Sequence, residues 1–272
     1  MNIGTIIAFI MSLLLQVGVP LAVTLYYRRR TDASWQLFIY GGIIFALFQI
    51  FSWLPLSVYL DVAFSERITS ATGSFVWLLM LALVTSLVEE AGRWIGFHYL
   101  FPRGSFRLTW RNGVMYGLGH GSVETLFLIA GLTFINLLAY IMLSRLDIDL
   151  VLQSLGAEAT PALQEILYSI LNTSWIQPLV VAFERMLMLI HQVAWSLLVM
   201  QSLSSRQKRW FGFAVLYHTS VAVIVPGLAR LSGFTLAEIA NTLLAVLSLW
   251  IILKLRSVSA EDNHLFPLTR RA

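Results

Sequence analysis

The 272-residue sequence contains no cysteine, which excludes a secreted scaffold built on disulfides. Charge is scarce too: Asp, Glu, Lys and Arg make up 12% of the residues, against about 25% in an ordinary globular domain. So little charge excludes a disordered chain and a nucleic-acid module. What the sequence has instead is apolar surface, with 58% hydrophobic residues and a mean hydropathy of +0.79. No soluble fold hides that much, so the chain reads as an all-α, polytopic membrane helix bundle. The net charge of +4 then reports on basic residues flanking spans before it reports on an anionic partner.

Apolar runs long enough to cross a hydrocarbon core of about 30 Å as helix fall at 3–26, 35–60, 73–100, 112–143, 176–203, 210–229 and 236–254. These predict seven transmembrane helices. The first run lacks a basic leader and a small-residue cleavage site ahead of Arg28, so it is read as a span and not as a signal peptide. Alternate connections hold Arg28–Arg30, then Arg103, Arg107 and Arg111, then Arg206, Lys208 and Arg209, and finally Lys254, Arg256, Arg270 and Arg271. The opposite connections hold only Arg67, Arg145 and Arg230, with Asp61, Glu66, Asp147, Asp149, Glu158, Glu165 and Glu238. The positive-inside rule therefore predicts an outer amino terminus and a cytoplasmic carboxyl terminus. The long connection from Arg145 to Trp175 mixes apolar and acidic residues around Gly156 and Pro161, a pattern that suits short interfacial helices. With no repeat or low-complexity tract, residues 1–272 read as a single integral membrane domain of a multi-pass, bacterial-type plasma-membrane protein.

Six charged residues remain inside the spans: Glu89, Glu90, Arg93, Glu124, Glu184 and Arg185, joined by His120, His191 and His218. An ionised group at the bilayer centre costs about 2.5–3.5 kcal/mol on the insertion scale, so each marks a function or a partner. Counted from the basic ends at about 1.5 Å per residue, Glu90, His120, His191 and His218 share a layer roughly 14–20 Å deep. Four helices present titratable groups to that layer, which predicts one water-accessible cavity. Arg93 lies four residues after Glu89 and three after Glu90, so it can pair with either and leave the other free. Arg185 reads as a snorkelling side chain, His98 and His264 as solvated, and Trp35, Trp77, Tyr99, Trp110 and Trp210 as an interfacial aromatic belt.

Carboxylates beside histidines suit hydrolysis. A partly desolvated Glu takes a proton from attacking water, while His side chains bind a Lewis-acid metal or steady an oxyanion. His120, His191 and His218 match the three protein ligands of a catalytic zinc, the candidate divalent cofactor if one is bound.

Glu89-Glu90-Ala91-Gly92-Arg93 resembles the E-E-x-x-R motif of the CAAX-protease and bacteriocin-processing superfamily of intramembrane proteases, and Tyr116 four residues before His120 resembles its second motif. The run from Gly117 to Glu124, followed by Glu184-Arg185, His191 and His218, is similar to the YhfC family within that clan. The resemblance spans the third to the sixth helix and places the catalytic helices at about 73–229. It implies an intramembrane endopeptidase acting on a membrane-embedded or lipid-anchored peptide. In that reading Glu89 or Glu90 activates water, Arg93 orients the carboxylate pair, and the histidines complete the site. The clan includes members described as metallo-type and as glutamic-type. It usually places Asn or Asp four residues after a late His, whereas Trp195 and Ala222 stand there in this sequence, so Glu124 or Glu184 is expected to share that role. Spacing tilts the base towards Glu90, since Arg93 is the favoured i+4 partner of Glu89. The competing readings are a proton- or metal-ion-coupled transporter, for which membrane carboxylates are equally natural, and a non-catalytic scaffold of the same clan.

Overall fold

The computed structural model describes residues 2–64, 67–156 and 160–265. Glu66, Glu158, Arg270 and Arg271, and the side chain of His264, lie outside the described residues. The seven expected spans are present as long apolar helices: α1 (Ile3–Thr31), α2 (Trp35–Phe64), α3 (Ala71–Arg103), α4 (Trp110–Leu143), α7 (Ile176–Ser204), α8 (Arg209–Ser232) and α9, whose spanning part is Phe234–Arg256. Most extend a few residues past the apolar runs. Ser34, Ser70 and Thr109 each accept a bond from a backbone N–H of the turn that follows. The long connection forms two short helices as expected, α5 (Ile148–Leu155) and α6 (Pro161–Leu171), capped by Asp147 and Thr160. The Tyr168 hydroxyl donates to Asp149 at 2.6 Å, and that hydrogen bond holds the exposed phenol above its ordinary pKa.

The described chain divides into two compact units. The first takes the residues up to Leu21 together with Thr125–Met186. Its interior is held by neutral polar groups: Ser12 donates to the Pro178 carbonyl (2.6 Å), and the Gln16 amide donates to Ser12 (2.9 Å) and Thr133 (3.1 Å). The second unit takes Ala22–Glu124 and the chain from Leu187 onward, and it contains the candidate site.

Within the second unit, α2 and α4 pack backbone against backbone. A Cβ on Gly41 would lie 2.1 Å from the Tyr116 carbonyl oxygen, and one on Gly119 would lie 2.0 Å from that of Phe38. Only hydrogen fits at either position, and this approach carries His120 inward on α4. Three π-helical stretches interrupt the spans, at Ala46–Trp53, Gly96–Leu100 and Glu124–Ile129. Each rotates the following face of its helix relative to regular α geometry, and two of them begin within three residues of a charged site residue.

Gly119→Ala and Gly41→Ala should each lower the stability of the detergent-solubilised protein by about 1–3 kcal/mol through overpacking. Gly212→Ala, whose added methyl meets nothing within 4 Å, should not lower it and should raise it by up to about 1 kcal/mol through helix propensity. Thermal denaturation followed by size-exclusion chromatography reads the difference.

Candidate active site

Glu89, Glu90 and Arg93 point into the second unit from one side of α3 and are buried, Glu90 and Arg93 with 0% exposure. Helical spacing of three and four residues lets one guanidinium reach both carboxylates. Arg93 donates through one terminal nitrogen to Glu90 Oε1 and through the other to Glu89 Oε2, the latter at 3.1 Å. The expectation that Arg93 would take one carboxylate and leave the other free is thus corrected: it clamps the pair. The same guanidinium donates to Gln192 Oε1, and Gln192 Nε2 donates to Glu124 Oε2 at 2.5 Å. Glu124 is therefore joined to the cluster through an amide.

Each carboxylate also holds one imidazole. His120 Nε2 lies 3.3 Å from Glu89 Oε2, and His218 Nδ1 lies 2.8 Å from Glu90 Oε1. Glu90 spends only Oε1 on these contacts. Its Oε2 is buried without a hydrogen-bond partner among the described residues, as are His120 Nδ1 and the Tyr116 hydroxyl. Trp195 stacks on His218 (ring centroids 3.8 Å apart, planes at 12°), and the Arg93 guanidinium sits 5.8 Å from its ring centroid. Phe45 meets His120 edge-on at 5.1 Å.

His191 departs from expectation. Its Nδ1 lies 2.8 Å from Ser248 Oγ and its Nε2 lies 3.3 Å from Asn241 Oδ1, so the ring is engaged by α9 while also stacking on Trp195 at 5.5 Å. Tyr217 reinforces that seat: its hydroxyl donates to the Leu244 carbonyl at 2.6 Å and contacts Ser248 Oγ at 2.8 Å. Among the described residues, no three His, Cys, Asp or Glu side chains are gathered into a metal-holding group. The set His120, His191 and His218 is not brought together as three ligands, because α9 supplies partners for His191. The residues expected to line a water-accessible cavity are buried, His120 at 1% and His191 at 0% exposure. Glu184 and Arg185, both half-buried, belong to the first unit; α7 passes from one unit to the other between Met186 and Leu187.

Gln192, Trp195, Asn241, Ser248 and Tyr217 are site residues that a search for charged groups passes over. Their signal in the sequence is milder: neutral polar or amphipathic side chains within apolar runs, with Gln192 and Trp195 one and four residues after His191. Asn241 and Ser248 lie on the seventh span, past the segment to which the sequence assigned the catalytic helices.

Arg93→Met should cost about 3–5 kcal/mol of stability, since it strands two buried carboxylates without their cation. Combining it with Glu89→Gln and Glu90→Gln should restore most of that loss. Melting temperatures of the native, Arg93→Met and triple-variant proteins in one detergent check the reversal, and a triple variant as unstable as Arg93→Met would refute charge compensation as the cause.

Residues 11–244 match the YhfC intramembrane metalloprotease family. A curated relative from Bacillus subtilis (strain 168), described as an uncharacterized membrane protein YhfC, is 25% identical over 243 residues, covering 88% of this chain and 92% of that one. No solved structure matches the chain. The family implies a peptide hydrolase, and the seven spans place it in a membrane as a multi-pass protein. The match covers most of the chain, carrying Glu89-Glu90-x-x-Arg93, His120, His191 and His218 with it, and the chain belongs to the YhfC intramembrane metalloprotease family.

Proposed function

We propose that this chain hydrolyses a peptide bond in or beside a membrane segment of its substrate, with Glu90 taking the proton of the attacking water. The observation that carries the reading is the state of Glu90: Oε1 anchors it to Arg93 and His218, while Oε2 is buried and unpartnered. An oxygen held in place but unbonded is positioned to accept a proton. Water oxygen adds to the scissile carbonyl as its proton passes to Glu90, and the same proton then leaves with the departing amine. As imidazolium ions, with one N–H on the carboxylate, His120 and His218 donate the second N–H to the developing oxyanion when no metal ion occupies that nitrogen. Arg93, fastened by Gln192 to Glu124, positions both carboxylates, and Glu89 orients His120. His191 acts from further out, by holding Trp195 against His218. Glu184 falls outside this proposal. A membrane-embedded or lipid-anchored peptide is the substrate class suited to a site enclosed by apolar spans.

Imidazole and carboxylate are the donor types that a borderline divalent ion such as zinc takes, although no three of them are gathered into one group among the described residues. His120 and His218 each lean on a carboxylate, the arrangement by which outer carboxylates orient metal-ligating imidazoles, and His120 Nδ1 is a buried nitrogen without a partner among the described residues. Those two imidazoles are the groups that would hold the ion. When bound, it supplies Lewis acidity and acidifies a coordinated water.

Glu90→Gln should lower cleavage of a membrane peptide by about 10²–10⁴-fold, with the melting temperature preserved, whereas Glu89→Gln should cost about 10–100-fold through loss of orientation. Near-native turnover in both variants would remove the protease reading; near-native turnover in Glu90→Gln alone would transfer the base to Glu89.

Metal analysis of the purified protein by mass spectrometry makes a separate check. His120→Ala and His218→Ala should each lose a bound divalent ion that His191→Ala retains. Equal loss in all three variants would restore His191 to the ligand set.

A further inference from the structure

A groove of about 530 Å³ runs between the later half of α3, the end of α7 and the start of α8, wholly within the second unit. Trp94 and Ile95 wall it from α3, Leu203 from α7 and Phe211 from α8, and the connection between α7 and α8 brings Arg206 and Lys208 to it. Trp94 is held by a near-parallel stack on His98, 4.7 Å between centroids at 8°. Arg206 and Lys208 are exposed, and neither forms an ion pair among the described residues. Arg206 also sits at φ +56° just past the end of α7, in the left-handed region where glycine is the usual choice after a helix.

An apolar trough with two uncompensated cations asks for an amphiphile with a negative head. Inorganic phosphate would leave the aromatic walls unused, and an uncharged apolar ligand would leave the cations unpaired. The geometry points to a bound anionic phospholipid, with one acyl chain along Trp94, Ile95, Leu203 and Phe211 and its phosphate beside Arg206 and Lys208. The site is separate from the Glu90 chemistry and does not depend on it, although Ala91, the residue next to Glu90, belongs to the same lining. Lipid in this groove would therefore brace the α3 turn that presents the carboxylate pair.

The test uses the full chain in phosphatidylcholine nanodiscs doped with phosphatidylglycerol, followed by gentle extraction and native mass spectrometry. About one phosphatidylglycerol per chain should be retained, in preference to phosphatidylcholine, and equally by the native and Glu90→Gln proteins. Joint Arg206→Gln and Lys208→Gln substitution should weaken retention about 25–30-fold, fivefold for each cation. Leu203→Trp, which fills the trough, should also weaken it. Arg28→Gln with Arg29→Gln, at another basic connection, should change little. Melting temperatures confirm that each variant is folded. Retention without headgroup preference, or equal loss in the Arg28 and Arg29 control, would overturn the proposal in favour of general surface adsorption. Displacement of the lipid by a substrate peptide at matched concentration would overturn it in favour of a substrate groove.

Discussion

One guanidinium holds the centre of the second unit together. Arg93 lies between two carboxylates on its own helix and an amide on α7, with all four side chains enclosed. Any of these charges alone at that depth would be expelled or neutralised, since the interior offers no water to replace the lost hydration. Together they are tolerable, because each carboxylate has a cation and an imidazole, and the cation has two carboxylates and an aromatic face. Glu90 Oε2, His120 Nδ1 and the Tyr116 hydroxyl remain as buried polar atoms without a hydrogen-bond partner among the described residues.

This arrangement makes demands on the surrounding helices. Gln192 must arrive at Arg93 and Glu124 at once, which requires α7 and α4 to run close together. Gly117 and Gly121 permit this, as added methyls there would lie 2.8 Å from Val193 Cα and 3.0 Å from Gln192 Cβ. π-helical stretches open at Glu124 on α4 and at Gly96 on α3, three residues past Arg93. Behind His218, Trp195 forms a flat backing whose position depends on His191 and, through it, on Asn241, Ser248 and Tyr217. Five of the seven spans, α3, α4, α7, α8 and α9, thus contribute polar side chains to one buried network.

Legibility from sequence divides along a physical line. Span number and the polar layer were readable, because a helix crossing about 30 Å of hydrocarbon must be apolar for some 20 residues whatever its neighbours do. The pairing of Arg93 with Glu89 and Glu90 was readable as a possibility, because positions three and four apart on one helix are neighbours by local geometry. Even there the outcome differed: sequence spacing allows one partner or the other, whereas burial makes it unfavourable to leave either carboxylate without the cation.

Contacts between helices were not readable in the same way. Periodicity specifies which face of a helix is unusual, but not the rotation and height at which it meets another, and π-helical turns shift both without a clear local signature. The histidines show this. All three lie at matched depth in the sequence, yet His120 and His218 turn to the carboxylates while His191 turns to α9. The sequence by itself determined a seven-span helical membrane protein with a buried Glu-Glu-Arg and histidine layer, because hydrophobic length and local spacing are properties of single helices. Only the tertiary structure decided which histidine serves which carboxylate, that Gln192 bridges Arg93 to Glu124, and that Glu90 keeps an unbonded oxygen, because those depend on how separate helices are rotated against one another.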